Sequence, residues 1–380
     1  MNAILQRLTT HWQLRTPHVV VVPTRTANVP RVHRARRAIA FAAFAFLIVQ
    51  LAFATVVQRE WLPLRDPLFH EKFERFQKHT AFWNDDNTAL RILAIGSSRL
   101  HLSFDAKRLS EKLSAAYGHP AIAYNFGTSG AGPLTNSLYL KRLIDAGVRA
   151  DCIVLELHPA LVGTGDSEFL LERRWLHGYR LRLGECEQLA RYGFAPEYPP
   201  SFGAKAYLTA THAYRMPALN RYATVWLPCP FGLTLGAQHD DFGFVPGIEL
   251  PMHERPIAFQ RTLAQYRDVF TGYRVGGPGA AALRDSLAIC KAAGLRAALL
   301  VTPESLAFQR QYGPDGAKQI AAFIDELRRE FAVTVLNARD AIPDGELADG
   351  HHPTPAGGAI FTDWFATEFQ RTWQSNEGTR

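Results

Sequence analysis

The chain is poor in sulfur: 4 cysteines and 3 methionines in 380 residues. It has no Cys-x-x-Cys, which argues against a structural zinc site or a dithiol redox centre. Cys152 and Cys290 lie in apolar segments and read as core. Cys186 and Cys229 lie in a loop-rich stretch and would be free to pair in an oxidising compartment. Residues 1–37 contain no Lys, Asp or Glu, only the arginines Arg7, Arg15, Arg25, Arg31, Arg34, Arg36 and Arg37. The remaining chain holds 35 basic and 35 acidic residues. The formal charge of +7 is therefore local to one end, and a nucleic-acid partner is not expected. No internal repeat or low-complexity tract is present.

Residues 38–57, "AIAFAAFAFLIVQLAFATVV", lack any charge and hold one polar amide, Gln50. Such a run spans about 30 Å as a helix, enough for a hydrocarbon core. The arginines before it predict a cytoplasmic N-terminus and an extracytoplasmic remainder by the positive-inside bias. A cleaved signal peptide fits less well, because the run is long, starts late and lacks a small-residue cleavage site. A buried core helix is the other reading. The predicted organisation is a basic cytoplasmic tail (1–37), a single-pass transmembrane anchor in the inner (cytoplasmic) membrane (38–57), a polar connector (58–89) and one large domain (90–375).

From about 90 onward, apolar strand-like runs alternate with amphipathic stretches. Strands are expected at 91–96, 121–127, 151–159, 295–303 and 332–338. Helices are expected at 103–118, 134–147, 277–294, about 316–330 and from about 355. Ser103 is the expected cap of the first helix and Gly118 its stop. This order predicts an α/β fold, a parallel sheet with helices on both faces. Positions 160–275, rich in Tyr, Trp and Pro, are too long for a structureless loop and read as an inserted subdomain. Its aromatics would either form that subdomain's core or stack on sugar rings.

Two short stretches carry chemistry. "ILAIGSSR" ends a strand on Gly96 and presents Ser97 and Ser98 where ligands meet the carboxyl edge of such sheets. It is either a plain strand-to-helix turn or a nucleophile elbow, and a serine needs a base to be a nucleophile. "LADGHHPTPAGG" supplies Asp349 three residues before His352, ahead of a helix that Thr354 would cap and Pro355 would open. A carboxylate so placed can orient an imidazole, as in a serine triad. The alternatives are a polar loop with a helix cap or, third, a metal site including His351; no metal is expected. Arg99 would pair with an anionic substrate or sit on the surface. His158 would bind substrate or satisfy a strand end, and Glu304 would line the cleft.

Together, "GSS" early and "DGHHP" late resemble the SGNH (GDSL-like) hydrolases, a flavodoxin-like α/β/α superfamily of esterases and acyltransferases. The resemblance covers about 90–160 and 280–375. It implies a three-layer fold and a triad of Ser98, His352 and Asp349, with Ser97 in the family's aspartate position. It implies no cofactor. "YNFGTSGAGP" (124–133) resembles the second family block and makes Gly130 and the Ser98 backbone N–H the oxyanion hole, with Asn125 a further candidate. Where the third block has asparagine, this chain has Ala160. "VTPESLAFQRQYG" (301–313) resembles anchored bacterial relatives that accompany membrane-bound O-acyltransferases in polysaccharide acetylation. The implied function is a serine esterase or O-acyltransferase acting on acyl groups, acetyl first, of a cell-surface polysaccharide. A weakly catalytic polysaccharide-binding or scaffold subunit, and a lipid or thioester hydrolase, are the other readings.

Overall fold

The computed structural model describes residues 29–85, 89–164, 172, 176, 178–193, 208–223, 226 and 239–377. Most of the basic tail, and Cys229, lie outside the described residues. Two compact units meet at the Val49–Gln50 bond. The first contains most of helix α1 (Val29–Gln58). Within it Val32–Gln58 is long and apolar enough to cross a membrane, with a mean hydropathy of 2.4. Ile39, Phe41, Phe44, Phe46 and Val49 are exposed, which does not suit a core helix.

The second unit is built on five parallel strands, β1 (Leu90–Ile95), β2 (Ala121–Asn125), β3 (Cys152–Leu157), β4 (Ala297–Val301) and β5 (Thr334–Asn337). They are ordered β2-β1-β3-β4-β5. Successive strand side chains point to opposite faces, and the core divides accordingly. Leu93, Ile95, Ile153, Leu155, Leu299 and Val301 face one apolar layer; Ile92, Ala94, Cys152, Val154, Ala298 and Leu300 face the other. The first layer receives α2 (Pro67–Asp85), α5 (Pro133–Asp145), α8 (Gly277–Ala292) and α9 (Gly313–Phe331). The second receives α3 (Ser98–Ser103), α4 (Ala106–Tyr117) and α10 (Pro355–Glu377). This is the expected three-layer α/β/α fold.

Three expectations change. Residues 58–89 are no mere connector: Phe69, Phe76 and Trp83, seven apart on α2, are buried in the core, and a stripe at that spacing marks one helix face. Ser103 does not open a helix. It ends α3, and the chain breaks before Asp105, whose side chain accepts from Arg108 N and caps α4. Gly118 does stop α4, in the left-handed region at φ 70°. The described parts of the insertion pack on segments outside it in small clusters beside the two sheet layers rather than making a core of their own. Tyr266, Val269 and Tyr273 in and just after α7 (Arg255–Phe270) pack on Ala160, Phe308 and Tyr312, and Leu181 and Leu189, just before and within α6 (Leu183–Arg191), pack on α5. Among the described residues Cys186 forms no disulfide.

Candidate active site

The carboxyl edge of β1 turns through Gly96 into α3. A side chain at Gly96 would place its Cβ 2.6 Å from Glu156 Oε2 and 2.8 Å from Leu100 Cδ2, so only glycine fits. Glu156 sits on β3, the neighbouring strand, and pins the turn. Its carboxylate accepts from the Ser97 amide and, at 2.9 Å, from Ser97 Oγ, while Thr302 Oγ1 donates to it at 3.1 Å. Burial raises the Glu156 pKa, against the lowering effect of those donors and of Arg99. Gly96→Ala is expected to destabilise by about 1–3 kcal/mol, the usual cost of overpacking, and to misplace Ser98. Urea unfolding and esterase assays read both effects; unchanged stability and activity would contradict the tight packing.

With the turn so fixed, Ser98 Oγ lies 2.8 Å from His352 Nε2. His352 Nδ1 lies 2.8 Å from Asp349 Oδ2, and Asp349 Oδ1 accepts the amides of His352 (2.9 Å) and His351 (3.3 Å). With the proton on Nδ1 shared with the carboxylate, Nε2 is left to accept from the serine hydroxyl; this tautomer follows from the network. Burial opposes the charged form of Asp349. The neighbouring imidazoles of His351 and His352 and the hydrogen bonds from His352 outweigh it and hold the carboxyl well below the usual range. Thr354 accepts the Gly357 amide at 3.0 Å, capping α10 and setting the pitch of the loop.

These groups open on a cavity of about 310 Å³ that Gly130, Arg99 and His158 also line. Gly130 has φ 73°, a left-handed turn that glycine adopts without strain. Among the described residues neither the Ser98 nor the Gly130 amide has a backbone partner, so both are available to a developing oxyanion. Glu172, from the insertion, holds the following turn: it accepts from Gly132 N at 3.1 Å and Thr135 Oγ1 at 2.6 Å. Thr262, Gln265 and Tyr266, one face of α7, complete one wall.

Two candidates are elsewhere. Asn125 is wholly buried and does not line the cavity. Its Nδ2 donates to the carbonyls of Leu100, His101 and Phe104, and its Oδ1 accepts from Gly127 N, so it ties β2 to α3. Glu304 lies behind the wall, where Arg99, Arg339 and Tyr312 saturate it. Ala160 is buried in an apolar cluster and offers no side-chain donor. Glu156, Glu172, Thr262, Gln265 and Tyr266 escape sequence reasoning. A lone carboxylate within "CIVLEL" and the i, i+3, i+4 spacing on α7 were the available signals. Asp349, His351 and His352 bring donor atoms within 4.8 Å of one another, but both nitrogens of His352 already serve Ser98 and Asp349, so a metal would dismantle that chain.

Among the described residues the buried His101, His158 and His351 and the half-buried His239 resist protonation. Burial, then the Lys72 charge, lowers the pKa of His101 and His239, the latter to about 3. Burial also lowers those of His158 and His351 well below the usual imidazole value. The unfolded imidazoles protonate near pH 6.5, while the folded ones do so only at lower pH. The contribution of these histidines to stability is therefore full above about 6.5 and falls below it, at about 1.4 kcal/mol per pH unit per differential proton. The urea midpoint is expected to drop steeply between about pH 6.5 and 4.5; a flat midpoint would contradict the buried neutral histidines.

No family model matches the chain, and no curated protein matches it. Solved structures do. A catalytic mutant of an acetylxylan esterase from Geobacillus stearothermophilus is 11% identical, over 73% of this chain and 92% of that one, at TM-score 0.37. A psychrotrophic esterase from Pseudoalteromonas sp. is 11% identical over 75% and 99%, at TM-score 0.35. A lipase/acylhydrolase from Enterococcus faecalis is 12% identical over 74% and 95%, at TM-score 0.34. At such values any activity has to follow from the site's own geometry.

Proposed function

We propose that the chain is an SGNH-type serine esterase or O-acyltransferase. The observation that carries this is the continuous chain Ser98 Oγ, His352 Nε2/Nδ1, Asp349 Oδ2, with both links 2.8 Å long, opening on a cavity beside Gly130. Ser98 Oγ attacks the ester carbonyl and its proton passes to His352 Nε2. The Ser98 and Gly130 amides receive the oxyanion. On collapse the alcohol leaves with the proton from His352. Water or a sugar hydroxyl, deprotonated by His352, then attacks the acyl carbonyl; the bond to Ser98 Oγ breaks and His352 returns the proton to Oγ. Asp349 holds the ring and stabilises the imidazolium.

The apolar helix Val32–Gln58 and the preceding arginines support a single-pass anchor with the α/β unit outside the cytoplasm. That setting, with the motif resemblance, favours acyl groups of a cell-surface polysaccharide, and a membrane-bound O-acyltransferase as acyl source for the transferase reaction. The cavity wall mixes Ser, His, Arg, Thr and Gln with Leu102, Leu161 and Ile248, and its volume of about 310 Å³, small for a ligand pocket, favours a short acyl group over a lipid chain. One observation favours a scaffold subunit instead: Ala160, in an apolar cluster, supplies no side-chain donor to the oxyanion site. Hydrolysis of 4-nitrophenyl acetate, run with and without an oligosaccharide acceptor, tests the reading. Turnover with the acetyl group appearing on water or on sugar separates esterase from transferase. No turnover by the folded full chain would leave the scaffold reading.

A further inference from the structure

Arg99 is 1% exposed and lines the Ser98 cavity, yet it is only half used. Nη1 donates to Glu304 Oε1 at 2.8 Å. Nε and Nη2, the two atoms of the guanidinium's fork edge, make no hydrogen bond among the described residues. Elsewhere in this molecule the same edge grips a carboxylate. Arg108 uses it on Asp363, Arg182 on Glu60, Arg142 on Glu185 and Arg339 on Glu304. A planar fork is the natural partner of a planar oxyanion.

The surroundings point the same way. Nδ1 of His158 and Nδ1 of His351, on two further residues of this cavity wall, are also buried and unpaired among the described residues. Phe308 holds the assembly, lying 5.1 Å below the Arg99 guanidinium and 5.2 Å from the His351 ring. Glu304 cannot fully neutralise Arg99, because it is shared with Arg339. Glu156, the other buried acid whose field reaches Arg99, spends its oxygens on Ser97 and Thr302. Buried polar groups left unpaired are costly, and three residues leaving them around one cavity mark a place for a ligand.

We propose that the Nε/Nη2 edge of Arg99, flanked by His158 and His351, is a carboxylate-binding subsite in the wall of the Ser98 cavity. The substrate is then an ester that carries a free carboxylate, borne either by the acyl group or by an acidic sugar. This deepens the serine-esterase reading and rests on it for the bond that is broken.

The test is binding, which needs no turnover. Titration calorimetry on the full chain, wild type and Ser98→Ala, would use succinate and glucuronate, with succinamide and glucose as neutral counterparts. At least one carboxylate is expected to bind both proteins at least about tenfold more tightly than its neutral counterpart. Preference for succinate assigns the carboxylate to the acyl group, preference for glucuronate to the sugar. Arg99→Lys keeps a charge for Glu304 but loses the fork, and should weaken carboxylate binding about tenfold while its melting temperature stays close to wild type. Equal binding of carboxylate and neutral compounds by the wild type, which does not depend on how the variant folds, would overturn the subsite. Carboxylate binding without hydrolysis of 4-nitrophenyl acetate would keep the subsite and sink the esterase reading.

Discussion

Ser98→Ala is expected to lower kcat/KM for 4-nitrophenyl acetate by at least about a thousandfold, with the fold intact. The side chain is small, partly solvent-facing and, among the described residues, bonded only to His352 Nε2, so its loss removes the nucleophile and little else. Members of such a unit act together, and their losses do not add. His352→Ala should therefore cost a similar factor, and the double variant little more. Residual turnover would reflect the cavity and the Ser98 and Gly130 amides alone. If Ser98→Ala hydrolysed the ester at wild-type rate, another group would be the nucleophile and the turn at Gly96 would be only a turn.

Arg142→Met should destabilise the folded state by about 3–5 kcal/mol, the usual cost of breaking a buried ion pair from one side. Arg142, on α5, is buried and donates to Asp66 Oδ2 at 2.8 Å, to Glu185 at 2.6 and 2.7 Å, and to the Arg180 carbonyl at 2.7 Å. Burial alone would favour the neutral guanidine, but Glu185 and Asp66 raise its pKa above the ordinary arginine value. Among the described residues, methionine would leave Glu185 buried with no ion pair, holding only the Arg182 amide, and Asp66 with Arg180 as its one remaining ion pair. The adjacent Lys141 provides the control. Its pair with Asp145 is about half exposed on both sides, and Lys141→Ala should change stability by less than about 1 kcal/mol. Urea unfolding followed by tryptophan fluorescence measures both. Equal, small losses would show that the buried network holds nothing together.

Much of the α/β frame was legible because parallel strands buried on both faces are near-continuous apolar runs, as "CIVLEL" and "AALLV" are. The strand-end position of Ser98 and the three-residue spacing from Asp349 to His352 were legible for the same reason, since strand ends and helix caps bracket them. What failed was side-chain direction. Asn125 and Glu304 both stand at or just past strand ends, yet one turns back onto α3 and the other into an arginine pair. A sequence cannot say which way a strand-end side chain turns. Helix α2 was hidden because its charged residues masked the stripe of Phe69, Phe76 and Trp83. Glu156 was hidden because its partners, Ser97 and Thr302, are distant in the chain and meet it only once the sheet has formed. The wall contributed by α7 depends on where an insertion folds back, which local pattern does not encode.

The most direct test of the central claim is covalent labelling with a fluorophosphonate, followed by peptide mapping of the full chain. An activated serine predicts stoichiometric modification on the peptide containing Ser98, slowed by Asp349→Asn and absent in Ser98→Ala. A folded wild type that stays unlabelled, or carries the label on another residue, would contradict it.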